Sequence, residues 1–568
     1  MKFKYYPALQ LPVINENSDY DNQNEEFKSS RINDPYGFIR IQSLEIYNFK
    51  GVRHGYIELF PIGKNQSSDR KSNILALYGQ NGSGKTTVIQ ALYLVKQVMM
   101  GEELSDEVDR LISQGTESAE IKVVFEYRRK GEDTIEYLTY SFSFIRMNDG
   151  DDNETGKVGV RNEVLSLCKR DKTGKLTEKT HKLFDTNSSN KVLNASLIEV
   201  DVRSPYDPSN TRKERFKVDE YDQVYSANRE DAIECGASVL FYQGLEFTDL
   251  IGFGSIGDED EAYVVFPNRY AYIDLLKSFA EKYLFIAGAN LFNAFSDNAA
   301  PLLLRRGYVE THQDDEVTSS QVLYIARCLV PLNKVLSAIV PGLRVEIEAD
   351  YKPEIRKLFE GRPIFEEIID DLNSRVHKIM ASESIETLRD YDEGNLYANL
   401  NNHSIDYIDK RLLSVRFFSR RGDIVTPLED ESEGIKHIIY DLDLFIAAYN
   451  DPGVTVAIDE FDAGVFEYLL GEMLKTFEQH GKGQLIFTSH NLRPLEVLDR
   501  SFICFTTTNP ENRYLRMKYI NQTNNLRDVY YRQILVGEQD EDLYDYVNSF
   551  ELMEALDWAG EGNEQSET

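Results

Sequence analysis

Two clusters of residues in this chain have the types and spacing needed for phosphate chemistry. Residues 79–87 read GQNGSGKTT, between an apolar strand-like run at 73–78 and an apolar helix-like run at 88–98. A glycine-rich loop that leaves a strand and opens a helix is the setting of a P-loop, and the G-x-x-x-x-G-K-T spacing is complete. Gly79, Gly82 and Gly84 let the backbone turn tightly so that successive N–H groups face inward. With Gln80, Asn81, Ser83, Lys85, Thr86 and Thr87 they make up the candidate nucleotide-binding loop. The Lys85 ammonium can reach β- and γ-phosphates, the Thr86 hydroxyl can ligate Mg²⁺, and the phosphates would rest on the positive end of the following helix. The competing reading is a strand-to-helix turn that holds no nucleotide.

The second cluster lies near the other end of the chain. Residues 454–459, VTVAID, are a continuous apolar strand pattern that ends in two adjacent carboxylates, Asp459 and Glu460. Burial explains the apolar run but not the paired charges, which are costly at a strand end unless they serve a metal or a water. Asp459 is therefore assigned to Mg²⁺ and Glu460 to polarising an attacking water, with a solvated strand end as the alternative. Residues 484–489, QLIFTS, form another buried-strand pattern ending at His490. That position lies at the edge where phosphate ligands bind in α/β sheets, so the imidazole is a candidate γ-phosphate sensor; a purely structural histidine is the alternative.

The remaining residues supply the framework. A chain of 568 residues, 41% hydrophobic, can bury a large core and is expected to divide into two or three units. No run approaches the ~18 apolar residues of a membrane span, and the first residues lack a signal-peptide pattern, so a cytoplasmic protein without a membrane partner is expected. Cys168, Cys235, Cys328 and Cys504 are scattered with no C-x-x-C pair, which argues against a zinc ribbon or a disulfide framework and for small buried side chains. A net charge of −33 argues against coating of nucleic acid by bulk electrostatics and leaves a local basic groove open. Eleven carboxylates and no Lys or Arg fall between Glu538 and Thr568, and residues 560–568 read as disordered. The local basic candidates are residues 169–182, residues 212–217, and Arg411, Arg416, Arg420 and Arg421; each also reads as a solvated loop or hairpin.

Residues 39–60 alternate apolar and polar side chains in two blocks separated by 48–55, a strand pair leading to the P-loop strand. Period-two runs from 118 to about 201, IKVVFEY, EYLTYSFSFI and ASLIEVDV, predict an antiparallel β layer. Helical spacing at 271–289 and 322–339, together with 354–396, predicts a largely helical insert. A polar turn at 429–434 precedes an apolar helical run at 435–449. Ser432 and the N–H groups near Gly434 then sit at a helix N-terminus, where an ordinary serine N-cap is the plain reading.

In this order the segments resemble the ABC-type ATPase heads of SMC-like proteins, the RecF-like and OLD-like group included. LEIYNFKGV…IEL resembles the first strands of those heads, FYQGLEFTDL (241–250) their Q-loop, and ESEGIK (431–436) a divergent signature. VTVAIDEFDAG resembles the Walker B segment and D-loop, and FTSHNLRPLEVL the switch-histidine strand. The combination is similar to the ATPase subunits of bacterial anti-phage systems, of the Septu, PARIS and RloB-partner kinds. Glu433 stands where transporters carry glycine, and the residues after 510 leave little room for the Toprim nuclease domain fused to OLD-type ATPases.

The resemblance implies an α/β fold: an ABC-type P-loop ATPase head with an antiparallel β layer and a mainly α-helical insert. It divides the chain into an N-terminal arm (1–36), an N-lobe (37–262), the helical insert (263–410), a C-lobe (411–510) and an acidic C-terminal extension (511–568). The implied activity is ATP hydrolysis with Mg²⁺, with Glu460, Lys85 and His490 catalytic and Thr86, Asp459 and Gln243 at the metal. Ser432, Gly434 and Asp462 would face nucleotide held by a second subunit, so at least a dimer of heads is implied, and Lys50 or Arg53 would lie near the nucleotide. The implied partners are a separately encoded effector such as a nuclease, and nucleic acid or a phage-derived trigger. The rival readings are a RecF-like repair ATPase and a nucleotide-dependent scaffold with negligible turnover.

Overall fold

The strands that carry the candidate loops are buried because their sequences are unbroken apolar runs. The computed structural model describes residues 6–7, 37–59, 73–129, 134–148, 154–171, 175–186, 197–203, 211–217, 232–242, 263–266, 268–288, 319–352, 356–357, 363–381, 413–517, 525–536, 541–543 and 548–564. Within it NILALY is strand β4 (Asn73–Tyr78), TVAI is β16 (Thr455–Ile458) and QLIFT is β17 (Gln484–Thr488). Near-continuous apolar sequence is what a parallel strand covered on both faces requires. The sheet has the order β12 (Leu284–Ala287), β16, β17, β4, β18 (Ile503–Thr506) and β19 (Tyr514–Leu515), with only β19 antiparallel. Ile458 pairs with Phe487 and Phe487 with Ala76, so three carboxyl ends are level and their loops leave from one edge. From that edge β4 passes through the glycine-rich loop into α1 (Lys85–Met100).

A second, antiparallel sheet has the order β3 (Val52–Glu58), β2 (Gly37–Phe49), β5 (Ser118–Arg129), β6 (Thr134–Asn148), β7 (Glu154–Asp171) and β8 (Leu176–Asp185). Side chains of β5 alternate buried and half-buried along its length, the period of a strand with one face in the core. Gln484 fastens this layer to the parallel sheet: its amide accepts from Ile41 N–H at 2.9 Å and donates to Ile41 O at 2.9 Å, a complete and buried exchange. The break in the β2–β3 pair is narrower than the sequence predicts. Asn48 and Lys50 take positive φ (50° and 53°), and pairing resumes at Val52.

Three other expectations are corrected. The helix predicted over 271–289 is α2 (Asn268–Lys282) and stops there, because Leu284–Ala287 is buried as edge strand β12 by pairing with β16. A four-residue apolar run does not reveal by periodicity which element it belongs to. The run ASLIEVDV does not extend the large antiparallel layer. It supplies β9 (Leu197–Arg203), which pairs with β10 (Thr211–Lys217) and β11 (Tyr263–Phe266) in a sheet completed by β1 (Tyr6–Pro7). Residues 560–564, expected to be disordered, are helical. Asn548 Oδ1 accepts from Phe550 N–H at 3.0 Å and starts a helix (Ser549–Glu564) rich in Leu, Met, Ala and Glu, all good helix formers.

Contacts divide the chain into two compact units: residues 1–290, 448–461 and 470–568, and residues 291–447 with 462–469. The second unit contains α3 (Ser319–Ile339), β13 (Leu343–Tyr351), α4 (Pro363–Met380), the hairpin β14 (Leu413–Arg421) and β15 (Ile424–Pro427), and most of α5 (Glu433–Asn450). Strand β13 pairs with β14 on one side. Its backbone is also bracketed by asparagines from both helices. Asn333 exchanges two hydrogen bonds with Val345 (2.7 and 2.8 Å) and Asn373 two with Ala349 (2.8 and 2.9 Å), which satisfies main-chain groups that an edge strand otherwise leaves open. No helix among the described residues is long and apolar enough to cross a membrane.

Candidate functional site

The glycine-rich loop closes around its own lysine. Lys85, the first residue of α1 and only 6% exposed, donates from Nζ to Gly79 O at 2.8 Å and Gln80 O at 3.0 Å. Ser83 Oγ donates to Gln80 O at 2.6 Å and hydrogen-bonds the buried Thr506 hydroxyl of β18. Gly79 has φ 155°, and a Cβ there would overlap the Thr506 hydroxyl, so neither the conformation nor the space admits another residue.

Opposite the loop, the carboxyl ends of β16 and β17 present a connected set of polar atoms. Thr86 Oγ1 donates to Asp459 Oδ1 at 3.3 Å. Thr488 Oγ1 donates to the same oxygen at 2.6 Å and accepts from Glu460 N–H at 2.8 Å, while Phe461 N–H donates to Thr488 O at 3.1 Å. Glu460 has φ 55°, a left-handed conformation that L-residues adopt at a cost of about 1–3 kcal/mol. Thr488 holds the chain in that bend and thereby orients both carboxylates.

These groups line one cavity of about 440 Å³: Asn81, Gly82, Gly84, Lys85, Thr86 and Thr87 from the loop, Asp459, Glu460, Thr488 and His490 from the strand ends, and Lys50, Gly51, Val52 and Arg513 on the remaining wall. Its size suits a small charged ligand. Packing around Lys50 pushes its ammonium pKa down, and the Asp459 carboxylate pulls it back up. Arg53, the other basic residue of that segment, instead pairs with Glu511 at 3.2 Å on the exposed surface. His490 is exposed at the cavity wall. Thr86 and Asp459 are hard oxygen donors within hydrogen-bonding distance of each other, a set that fits Mg²⁺.

The C-terminal strands contribute residues the sequence did not single out. Tyr514 OH donates to Gly84 O at 2.9 Å, and its buried ring packs where Gly55 leaves room. Arg513 donates to Thr507 O at 2.7 Å and Gly51 O at 2.6 Å, and Arg53 N–H and His54 N–H donate to Pro510 O at 2.9 and 3.0 Å. The segment from Thr506 to Tyr514 therefore braces both the phosphate loop and the β2–β3 turn. The partners are more than 400 residues apart, and no local pattern announces such pairings.

Ser432, Gly434 and Asp462 belong to the second unit. Ser432 is exposed just before α5. The preceding turn is anchored by Glu431, which accepts from Ser419 Oγ and from Arg421 Nη1 (2.8 Å). The serine hydrogen bond first, with help from Arg421, holds its carboxyl below the usual range. Gly464, two residues after Asp462 and at φ 74°, lies against Gly434 so closely that a Cβ on it would overlap the Gly434 backbone. Gln243 lies outside the described residues. The segment leading to it is fixed by the fully buried Glu163, which accepts from Tyr140 OH (2.7 Å), Ser238 Oγ (2.5 Å) and Val239 N–H (2.7 Å) and whose pKa is raised by burial.

Five of the basic candidates are paired with carboxylates. Arg416 pairs with Glu348 and Asp350 (3.6 and 3.5 Å), Arg420 with Glu346 (2.7 Å) and Arg421 with Glu431 (2.8 Å), whereas Arg411 lies outside the described residues. In the 169–182 segment, Lys169 lies 3.4 Å from Glu136 and Lys182 2.5 Å from Asp185. Residues 212–217 fall on β10.

Among solved structures the chain is similar to an Smc head bound to the C-winged helix domain of ScpA, at 12% identity, covering 84% of this chain and 98% of that one with a TM-score of 0.31. It is also similar to the recombination mediator RecF with ATP (12% identity, 80% and 94% covered, TM-score 0.29). The SMC head domain from Thermotoga maritima is a further neighbour (15% identity, 84% and 100% covered, TM-score 0.27). None of the curated proteins compared matches the chain. The family described as AAA ATPase domain matches residues 40–493. That span runs from β2 through both clusters of the cavity and takes in most of the 568 residues, so the chain belongs to the AAA ATPase domain family.

Proposed function

We propose that this chain binds ATP with Mg²⁺ in the cavity between the glycine-rich loop and Asp459. It hydrolyses the nucleotide as a dimer of heads and so controls a separately encoded effector, such as a nuclease, in cytoplasmic bacterial anti-phage defence. The observation that carries the reading is the hydroxyl–carboxylate chain Thr86–Asp459–Thr488, which lines one cavity with Lys85 and joins the phosphate loop to the bend at Glu460.

In this reading Lys85 moves its hydrogen bonds from the loop carbonyls to the β- and γ-phosphates, and the loop N–H groups hold the remaining oxygens. Thr86 and Asp459, with Gln243 assigned beside them, would hold Mg²⁺, which would supply charge neutralisation on those phosphates. Glu460 orients the attacking water and takes up its proton, and His490 donates to the γ-phosphate from the rim. Ser432, Gly434 and Asp462 serve the site of a second copy. The close approach of Gly434 and Gly464 supports this, because it makes the signature turn and the D-loop one surface. Nucleic acid or a phage-derived molecule is the proposed trigger; the ion pairs of Arg416, Arg420 and Arg421 weigh against those side chains as its binding site.

Phosphate release from the purified chain tests the reading. Turnover is expected with Mg²⁺ and ATP, is abolished by EDTA, and returns when Mg²⁺ is restored. Uptake of ATP with no phosphate released over hours would replace it with the scaffold reading.

Thr488 gives a sharper prediction. Thr488→Val keeps the shape and removes both hydroxyl hydrogen bonds, which costs about 1–3 kcal/mol of stability. Turnover is expected to fall by roughly tenfold or more with ATP affinity within a few-fold, because Asp459 and Glu460 lose their orientation and the phosphate loop does not. Thr488→Ser should restore turnover, and equal rates for the Val and Ser variants would refute the role.

A further inference from the structure

We infer that Arg513 is a positioning residue for the nucleotide, acting through the Lys50–Gly51 turn that its guanidinium holds against the cavity. The inference rests on the nucleotide reading above and adds to it a residue from the far end of the chain.

Lys50 is a non-glycine residue in the left-handed region, and three hydrogen bonds keep its turn there. Lys50 N–H donates to Leu111 O at 2.7 Å, Ser113 Oγ donates to Lys50 O at 2.6 Å, and Arg513 Nη2 donates to Gly51 O at 2.6 Å. The first two fix the turn from the side of residues 111–113. From the segment that braces the phosphate loop, Pro510 O accepts from Arg53 and His54 N–H just past the turn, whereas Arg513 donates to the turn itself, and its other terminal nitrogen donates to Thr507 O at 2.7 Å. The stem of the same side chain passes beside Gly84, where an added Cβ would sit 3.4 Å from Arg513 Cγ. One planar fork with two fixed directions thus spans from the β18 end to the β2–β3 turn along the cavity wall, and Lys50, Gly51 and Arg513 all line that cavity with Lys85 and Asp459.

The chemistry that results is a second positive charge, the Lys50 ammonium, on the cavity wall beside the phosphate loop. A lysine on an untethered two-residue turn samples many orientations, whereas one on a pinned turn presents its ammonium to a polyphosphate with less ordering left to do on binding. The bonds that pin the turn therefore favour a ligand of high negative charge. A triphosphate gains from the arrangement; a monophosphate that stays within the loop gains little.

The test is a double-mutant cycle on nucleotide affinity, measured by calorimetry on the full chain with Mg²⁺-ATP and with AMP. Lys50→Met and Arg513→Gln are each expected to weaken ATP binding by about tenfold, the loss of one charged contact in its proper orientation. AMP binding should change by less than threefold or so. The double variant should bind ATP no more weakly than Lys50→Met, because Arg513 acts through Lys50. Arg513→Lys should not restore affinity, since one ammonium lacks the two-directional fork. Should Arg513→Gln fail to fold, Ser113→Ala loosens the same turn from its other side and should show the same non-additivity with Lys50→Met. Losses that multiply in the double variant, or unchanged ATP affinity in Arg513→Gln, would overturn the inference and leave the ATP site standing. A wild-type chain that takes up no ATP would overturn both.

Discussion

Glu460→Gln is expected to lower phosphate release by about 10²- to 10⁴-fold, the usual contribution of a positioned general base, while ATP uptake persists. The substitution is nearly isosteric and the left-handed bend at Glu460 depends on its N–H and the Thr488 hydroxyl, so the backbone path should survive. The side chain is exposed at the cavity wall and does not help to hold the fold, which confines the loss to the chemical step. The variant should also accumulate as an ATP-bound dimer, read by light scattering with and without nucleotide. Wild-type turnover in Glu460→Gln would remove Glu460 from the mechanism. Lost turnover with no nucleotide-dependent change in mass would leave the chemistry intact and remove the two-head arrangement.

Lys85→Met should act at the earlier step and weaken ATP binding by about 10²-fold or more. The ammonium is nearly enclosed by the loop and donates to two of its carbonyls. Its exchange onto phosphate oxygens forms charge-assisted hydrogen bonds worth about 1.5–3 kcal/mol each. Methionine matches the length of the stem but has no donor. The nucleotide-free fold should lose only about 1 kcal/mol, because the Gly79 and Gln80 carbonyls can turn to solvent. Calorimetry and thermal melting on the same samples separate the two effects. A large drop in melting temperature with affinity retained would mean that Lys85 is a structural lysine.

The parts of the site that were legible in the sequence are those in which chemistry and position are neighbours along the chain. A complete glycine-rich spacing between two apolar runs, and a strand that ends in Asp459–Glu460, need no partner to be recognised, and the parallel sheet places both at one edge. Thr488 was passed over within QLIFTS because its importance lies in two hydrogen bonds across to the neighbouring strand. Arg513 and Tyr514 look like ordinary residues of a C-terminal extension, and only pairing with the first strands turns them into cavity wall and loop support. The same blindness to long-range partners makes Arg416 and Arg420 read as part of a basic cluster, since the carboxylates of Glu346, Glu348 and Asp350 face them from β13, far upstream. The helix predicted through 271–289 overran for a related reason: a short apolar run becomes a strand only when β16 lies beside it.

Strand β4 is flanked in its sheet by β17 and β18, and the Thr506 hydroxyl that meets Ser83 lies 423 residues further along the chain. On the ribosome the phosphate loop therefore emerges with neither neighbour and stays without them until residues 484–506 have been made. Closing so long a loop is slow and entropically costly. Translation halted before Thr506 would release a chain with every residue of the glycine-rich motif and without the strand β18 hydroxyl that Ser83 meets.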